Sequence, residues 1–194
     1  MRTGDAAEAS PTSGQVRLDL GDRADAPILL APDAAGRYPN PAGKDATWAP
    51  GTELRLSSVG AEVPAFSAVL HAPPALHLVE PSVIGGAVPI DRRAGLRVRW
   101  EAATGDAGDV RVALRQELAT ARGLSALQAG VSIDCFFPRA AGTGTVPPEA
   151  LADLQAGEAN VMAYAVDAAH LRPGKYDVTA LVNTAGMFAH ATVR

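Results

Sequence analysis

Apolar and polar residues alternate in short runs along most of the chain, with a period of two rather than 3.6. Val16, Leu18 and Leu20 alternate with Arg17 and Asp19, the signature of a half-buried strand. Ile28-Leu29-Leu30 forms a short strand between Pro27 and Pro32. In GTELRLSS, Leu54 and Leu56 share one face; in PAFSAVLHA, Phe66, Ala68 and Leu70 do. The stretch 36–50 carries Pro39, Pro41, Gly43 and Pro50 and reads as a loop. Pro73-Pro74 cannot continue a central strand and marks a boundary.

The later half is patterned with higher contrast. LHLVE is a short strand ended by Pro81, and VIGGAVPIDRRAG is turn-rich. GLRVRWEA then points Leu96, Val98 and Trp100 inward, with Arg97, Arg99 and Glu101 outward. DVRVALR repeats the pattern with Val110, Val112 and Leu114 against Arg111 and Arg115, so the two runs predict a hairpin closed at ATGDAGD. Residues 116–130 predict a short helix or an ordered loop, interrupted by Gly123. VSIDCFFP puts Val131, Ile133, Cys135 and Phe137 on one face and turns Asp134 and Phe136 to the other. ALADLQ predicts a helix opened by Pro147-Pro148 and closed by Gly157. NVMAYAVD, KYDVTALVN and MFAHATVR complete the strands. About ten short strands with Gly/Pro turns predict an all-β chain. The expected form is an immunoglobulin-like β-sandwich over 75–194 with one or two short helices, after a tail at 1–14 and a smaller β subdomain at 15–74.

Composition narrows the functions. Of 194 residues, 47% are hydrophobic and 20% charged, which suits a folded protein. The net charge of −4 gives no general footprint for nucleic acid or for anionic lipid headgroups. No run reaches the length of about 18 apolar residues that crosses a bilayer. Met1-Arg2-Thr3-Gly4-Asp5 leads into polar residues, and read literally it implies a cytoplasmic chain; an export signal lying upstream would make it extracytoplasmic. Cys135 is the only cysteine, so no intrachain disulfide forms.

The chemical inventory is sparse. There is no G-x-S-x-G, and Ser67, Ser82, Ser125 and Ser132 read as ordinary strand or loop serines. Cys135 alternates with Ile133 and Phe137, which makes it a buried hydrophobe, and no His follows it at copper-site spacing. His71 and His77 flank Pro73-Pro74, but a metal would need His190 or a carboxylate as well. Asp106 and Asp109 lie in a Gly-rich turn without calcium-loop spacing, and Gly43-Lys44 lacks the phosphate-loop pattern. No catalytic residue, metal ligand or cofactor follows. The surface feature is basic: if the hairpin forms, Arg97, Arg99, Arg111 and Arg115 make one patch, with Glu101 and Asp109 near its ends. A solvated, charge-protected sheet face explains it, and so does a docking surface for an acidic protein, glycan or lipid headgroup.

The runs AEVPAFSAVLHAPPALHLVEP, VPIDRRAGLRVRW and SIDCFFPRAAGTGTVPPEALADL resemble a pattern in uncharacterised exported β-sandwich proteins of high-GC bacteria, many of lipoprotein type. The later half also resembles Ig-like domains of cell-wall-anchored proteins, in which a strand ending in Trp precedes a hairpin. The resemblance covers roughly residues 46 to 194 and rests on strand edges, turns and a Pro-initiated helix. It implies a sandwich fold and a periplasmic, cell-surface or secreted location, and transfers no active residue. The expected function is a non-enzymatic envelope or secreted module acting on a protein or glycan surface. The alternatives are a carbohydrate-binding module using Trp48 or Tyr38 (Trp100, being inward, is the poorer ring) and an enzyme whose site is assembled from distant loops.

Overall fold

The computed structural model describes residues 11–21, 27–38, 48–82, 86–102, 107–117, 130–184 and 186–194. Most of the expected tail, much of the loop at 36–50, Asp106, Ser125 and all but the ends of the expected helix at 116–130 lie outside them. The chain is all-β, and the contacts divide it into two units: 1–72 with 168–182, and 73–167 with 183–194.

The first unit holds β1 (Val16–Leu20), β2 (Ile28–Leu30), β3 (Glu53–Ser58) and β4 (Phe66–His71) in the order β2-β1-β3-β4, antiparallel throughout. Period-two patterning dictates which side is dry. Leu18 lies opposite Leu56 and Leu56 opposite Ala68, so one face is apolar. Arg17–Asp19 and Arg55–Glu53 pair with each other on the other face. Leu54, Ala68 and Leu70 form the core together with Ala180 and Val182, and Trp48, Ala169 and Leu171 pack around them. Residues 168–182 thus belong with the earlier strands, whereas the alternation alone groups them with 75–194.

The second unit places β5 (Leu78–Glu80), β7 (Leu96–Trp100) and β10 (Thr143–Val146) in a sheet of order β10-β7-β5. A larger sheet runs β6-β13-β11-β8-β9, with β6 at Ala87–Ile90, β8 at Asp109–Glu117, β9 at Gly130–Pro138, β11 at Gly157–Leu171 and β13 at Met187–Val193. Residues 168–171 of β11 belong to the first unit, as do residues 178–182 of β12 (Val178–Asn183), which pairs with β11. Leu96, Val98 and Trp100 of the small sheet share one core with Val110, Val112, Leu114, Val161 and Val193 of the large one. Helix α1 (Pro148–Leu151) has Pro in its first turn, and Leu151 and Leu154 seal the core. It starts before the expected 150–155 and ends sooner.

Two pairings differ from those the alternation suggests. β7 and β8 do not form a hairpin: β7 pairs with β10 and β5, β8 with β9 and β11. Alternation specifies which face of a strand is dry, not which strand lies beside it, and the connection between β7 and β8 passes from one sheet to the other. The turn-rich stretch after Pro81 also contains a strand, β6, which pairs in parallel with β13 and buries Val88 and Ile90 completely. Its Gly and Pro flanks mask a pairing made with residues a hundred positions away.

Candidate interaction surface

The large sheet is built from strands whose inward positions are apolar except for Gln116 on β8, whose side chain is hydrogen-bonded to the backbone of Gln155 and Glu158, so its outer face collects whatever lies out of phase. Val110, Val112 and Leu114 turn inward and force Arg111, Ala113 and Arg115 outward. On β9 the inward set Val131, Ile133, Cys135 and Phe137 packs on the core, and Phe136 is exposed. Register then assembles rows across the face. Tyr164, Arg111 and Phe136 lie side by side on β11, β8 and β9. Phe188, Met162, Ala113 and Asp134 make the next row, and His190, Asn160, Arg115 and Ser132 the one after.

The Arg111 guanidinium sits 5.5 Å from the Tyr164 ring centroid and 5.8 Å from that of Phe136, at cation–π distance from both. It also meets Asp134 Oδ1 at 2.7 Å, while Arg115 meets Asp134 Oδ2 at 2.9 Å. One carboxylate therefore orients two guanidiniums and leaves a local charge of one positive. Arg115 is further fixed by donating to the Leu114 and Ile133 carbonyls. Phe188 is 65% exposed and Phe136 48%, on the side of the sheet away from the core. Phe188 contacts His190 edge-on at 6.3 Å. A cleft of about 310 Å³ continues the face, lined by Arg115, Glu117, Glu158, Asn160 and His190.

The four arginines singled out in the sequence are not brought together. Arg111 and Arg115 belong to this face; Arg97 and Arg99 lie on the small sheet, where both flank Glu80 at 3.7 and 3.5 Å. Phe136, Asp134, Met162, Tyr164 and Phe188 are the residues that alternation alone did not single out as a surface. The available signal was the phase of Asp134 and Phe136, opposite to Cys135.

The remaining candidates are placed as follows. Trp100 is buried, and its Nε1 donates to the Arg139 carbonyl at 2.7 Å. Trp48 is half-buried against the first unit's core. Tyr38 is half-buried and its hydroxyl donates to the Gly14 carbonyl while accepting from the Ser13 amide. Burial, and secondarily the Asp134 carboxylate, push the Cys135 thiol pKa up, which keeps it protonated. Ser67, Ser82 and Ser132 are exposed. His71 ends β4 in the first unit and His77 precedes β5 in the second. Among the described residues no group of three or more His, Cys, Asp or Glu side chains gathers as a metal site, and no helix is long and apolar enough to cross a membrane. The chain matches no protein-family model and no curated protein.

Proposed function

We propose that the second unit is an immunoglobulin-like sandwich and that the protein is a non-enzymatic envelope or secreted module that docks another protein through the outer face of its large sheet. Strand order supports the architecture. With β5 to β11 read as A, A′, B, C, C′, E and F, and β13 as G, the sheets become A-B-E and A′-G-F-C-C′, close to the immunoglobulin arrangement. The buried Trp lies on the B-like strand rather than the C-like one, and a single cysteine excludes the inter-sheet disulfide of antibody domains.

The observation that carries the docking role is the composition of the outer face: Phe136 and Phe188 are exposed, with half-buried Tyr164, Met162 and Arg111 beside them. Aromatics, Met and Arg are the residue types enriched where proteins meet, and contiguous exposed apolar surface marks such contacts. Covering a ring of this kind contributes about 1.5–3 kcal/mol. A protein suits the face better than a sugar, because the Arg111 guanidinium occupies the space between the two nearest rings, and neither Trp48 nor Tyr38 stands free as a stacking platform.

The test is the double substitution Phe136→Ser with Phe188→Ser. Both side chains are exposed, so unfolding free energy is expected to stay within about 1 kcal/mol of the parent. Proteins cross-linked to the parent chain in the envelope fraction of its source cells should be lost. An unchanged set of cross-linked proteins overturns the reading, and glycan-array binding abolished by the same pair replaces it with the carbohydrate-binding one.

A further inference from the structure

The large sheet ends at β9, which pairs with β8 in unbroken register over Gly130–Pro138 and with no second strand among the described residues. Arg115 Nη1 reaches the Ile133 carbonyl from β8 at 3.2 Å, and the Gln116 carbonyl of β8 stands 3.0 Å from where a Cβ on Gly130 would lie. The main-chain groups of Val131, Ile133, Cys135 and Phe137 are therefore engaged with β8. Those of Gly130, Ser132, Asp134 and Phe136 point away from the sheet, because successive residues of a strand turn their N–H and C=O to opposite sides. Most other strands that end a sheet carry a device against further pairing. β6 contains Pro89, β5 is three residues long with a shifted register, and β2 and β10 span three and four residues. The next longest, β4, has six residues, whereas β9 has nine, with no proline before Pro138 and no lysine or arginine. Its one charged residue, Asp134, is bound by Arg111 and Arg115.

A row of outward donors and acceptors is satisfied as a whole only by another extended chain. We propose that this chain is a second copy of the protein, with β9 pairing antiparallel to β9 about a two-fold axis at Ile133. In that register Ser132 faces the partner's Asp134 and Gly130 faces the partner's Phe136, so each outward group from Gly130 to Phe136 meets its counterpart. The Ser132 hydroxyl can donate to the partner's carboxylate, and each Phe136 ring lies beside a residue without a side chain. Moving the axis one residue toward Pro138 sets the two Asp134 carboxylates against each other and brings Pro138, which has no N–H, opposite Gly130. Moving it one residue back carries Phe136 past Gly130, the first residue of the strand. The edge is thus complementary to itself in one register. Of the outer-face residues that carry the docking role only Phe136 is shared, and the dimer stands or falls apart from that role.

Sedimentation of the full chain over about a hundredfold range of concentration should show a monomer–dimer equilibrium. Ser132→Pro removes only an outward N–H, breaks no bond to β8, and should weaken the dimer about tenfold or more with circular dichroism unchanged. Phe188→Ser, on the sheet face but three strands from the edge, should leave the dimer intact. Ile133→Cys in a Cys135→Ser background sets each new thiol opposite its own copy at disulfide distance. It should give a covalent dimer on oxidation, and it decides the question even where the proline variant fails to fold. A chain that is monomeric at every concentration overturns the proposal. So does a dimer that survives in folded Ser132→Pro or is lost in Phe188→Ser, and so do thiols at position 133 that do not cross-link.

Discussion

Single residues carry more of this protein's physics than its composition suggests, because alanine supplies much of its apolar fraction and the larger side chains are few. Trp100 shows how much a period-two pattern conveys. Its place beside Leu96 and Val98 implies an inward ring, and it is 3% exposed with its indole N–H satisfied by the Arg139 carbonyl. Trp100→Ala should therefore cost about 3–5 kcal/mol in denaturant unfolding; a near-neutral result would contradict the burial. Arg139 was not legible in this way. It is buried, and its Nη1 donates to the Pro74 carbonyl at 2.8 Å and its Nη2 to that of Ala75 at 3.3 Å. A charged side chain enters a core only where acceptors await it, and these come from a segment 65 positions earlier that no local pattern points to.

At the level of elements, the strands with strong alternation were readable and their partners were not. β7 and β8 each carry outward arginines, and separating the strands onto two sheets gives each pair its own acid: Glu80 for Arg97 and Arg99, Asp134 for Arg111 and Arg115. The second arrangement is the tighter, with contacts of 2.7 and 2.9 Å at half-buried positions. Asp134→Asn leaves two guanidiniums without their shared carboxylate, and is expected to cost about 1 kcal/mol at low salt, shrinking as salt is added. Unfolding curves at two ionic strengths check this; a salt-independent loss would assign the effect to packing. β10 was hidden for a related reason. Thr143-Gly144-Thr145-Val146 has one large apolar residue, and a Cβ at Gly144 would lie 2.4 Å from the Phe137 ring, so its glycine is set by a neighbour on another strand.

At the scale of the molecule, two cores form, and the chain returns to the first after building most of the second. Ala180, Val182, Ala169 and Leu171 complete the core of Leu54, Ala68 and Leu70. A fragment ending at residue 72 lacks all four and should show no cooperative thermal transition by circular dichroism; cooperative melting would show that the early strands suffice alone. The residue order by itself determined the all-β character, the dry face of most strands and the inward turn of Trp100, because each depends on neighbours one or two positions away. Only the tertiary structure decided which strands lie side by side, that Phe136, Tyr164, Met162 and Phe188 share a face with Arg111, and that residues 168–182 pack with the beginning of the chain. Those outcomes depend on contacts between residues far apart in sequence, where many arrangements satisfy the same alternation and the shared burial of whole faces selects among them.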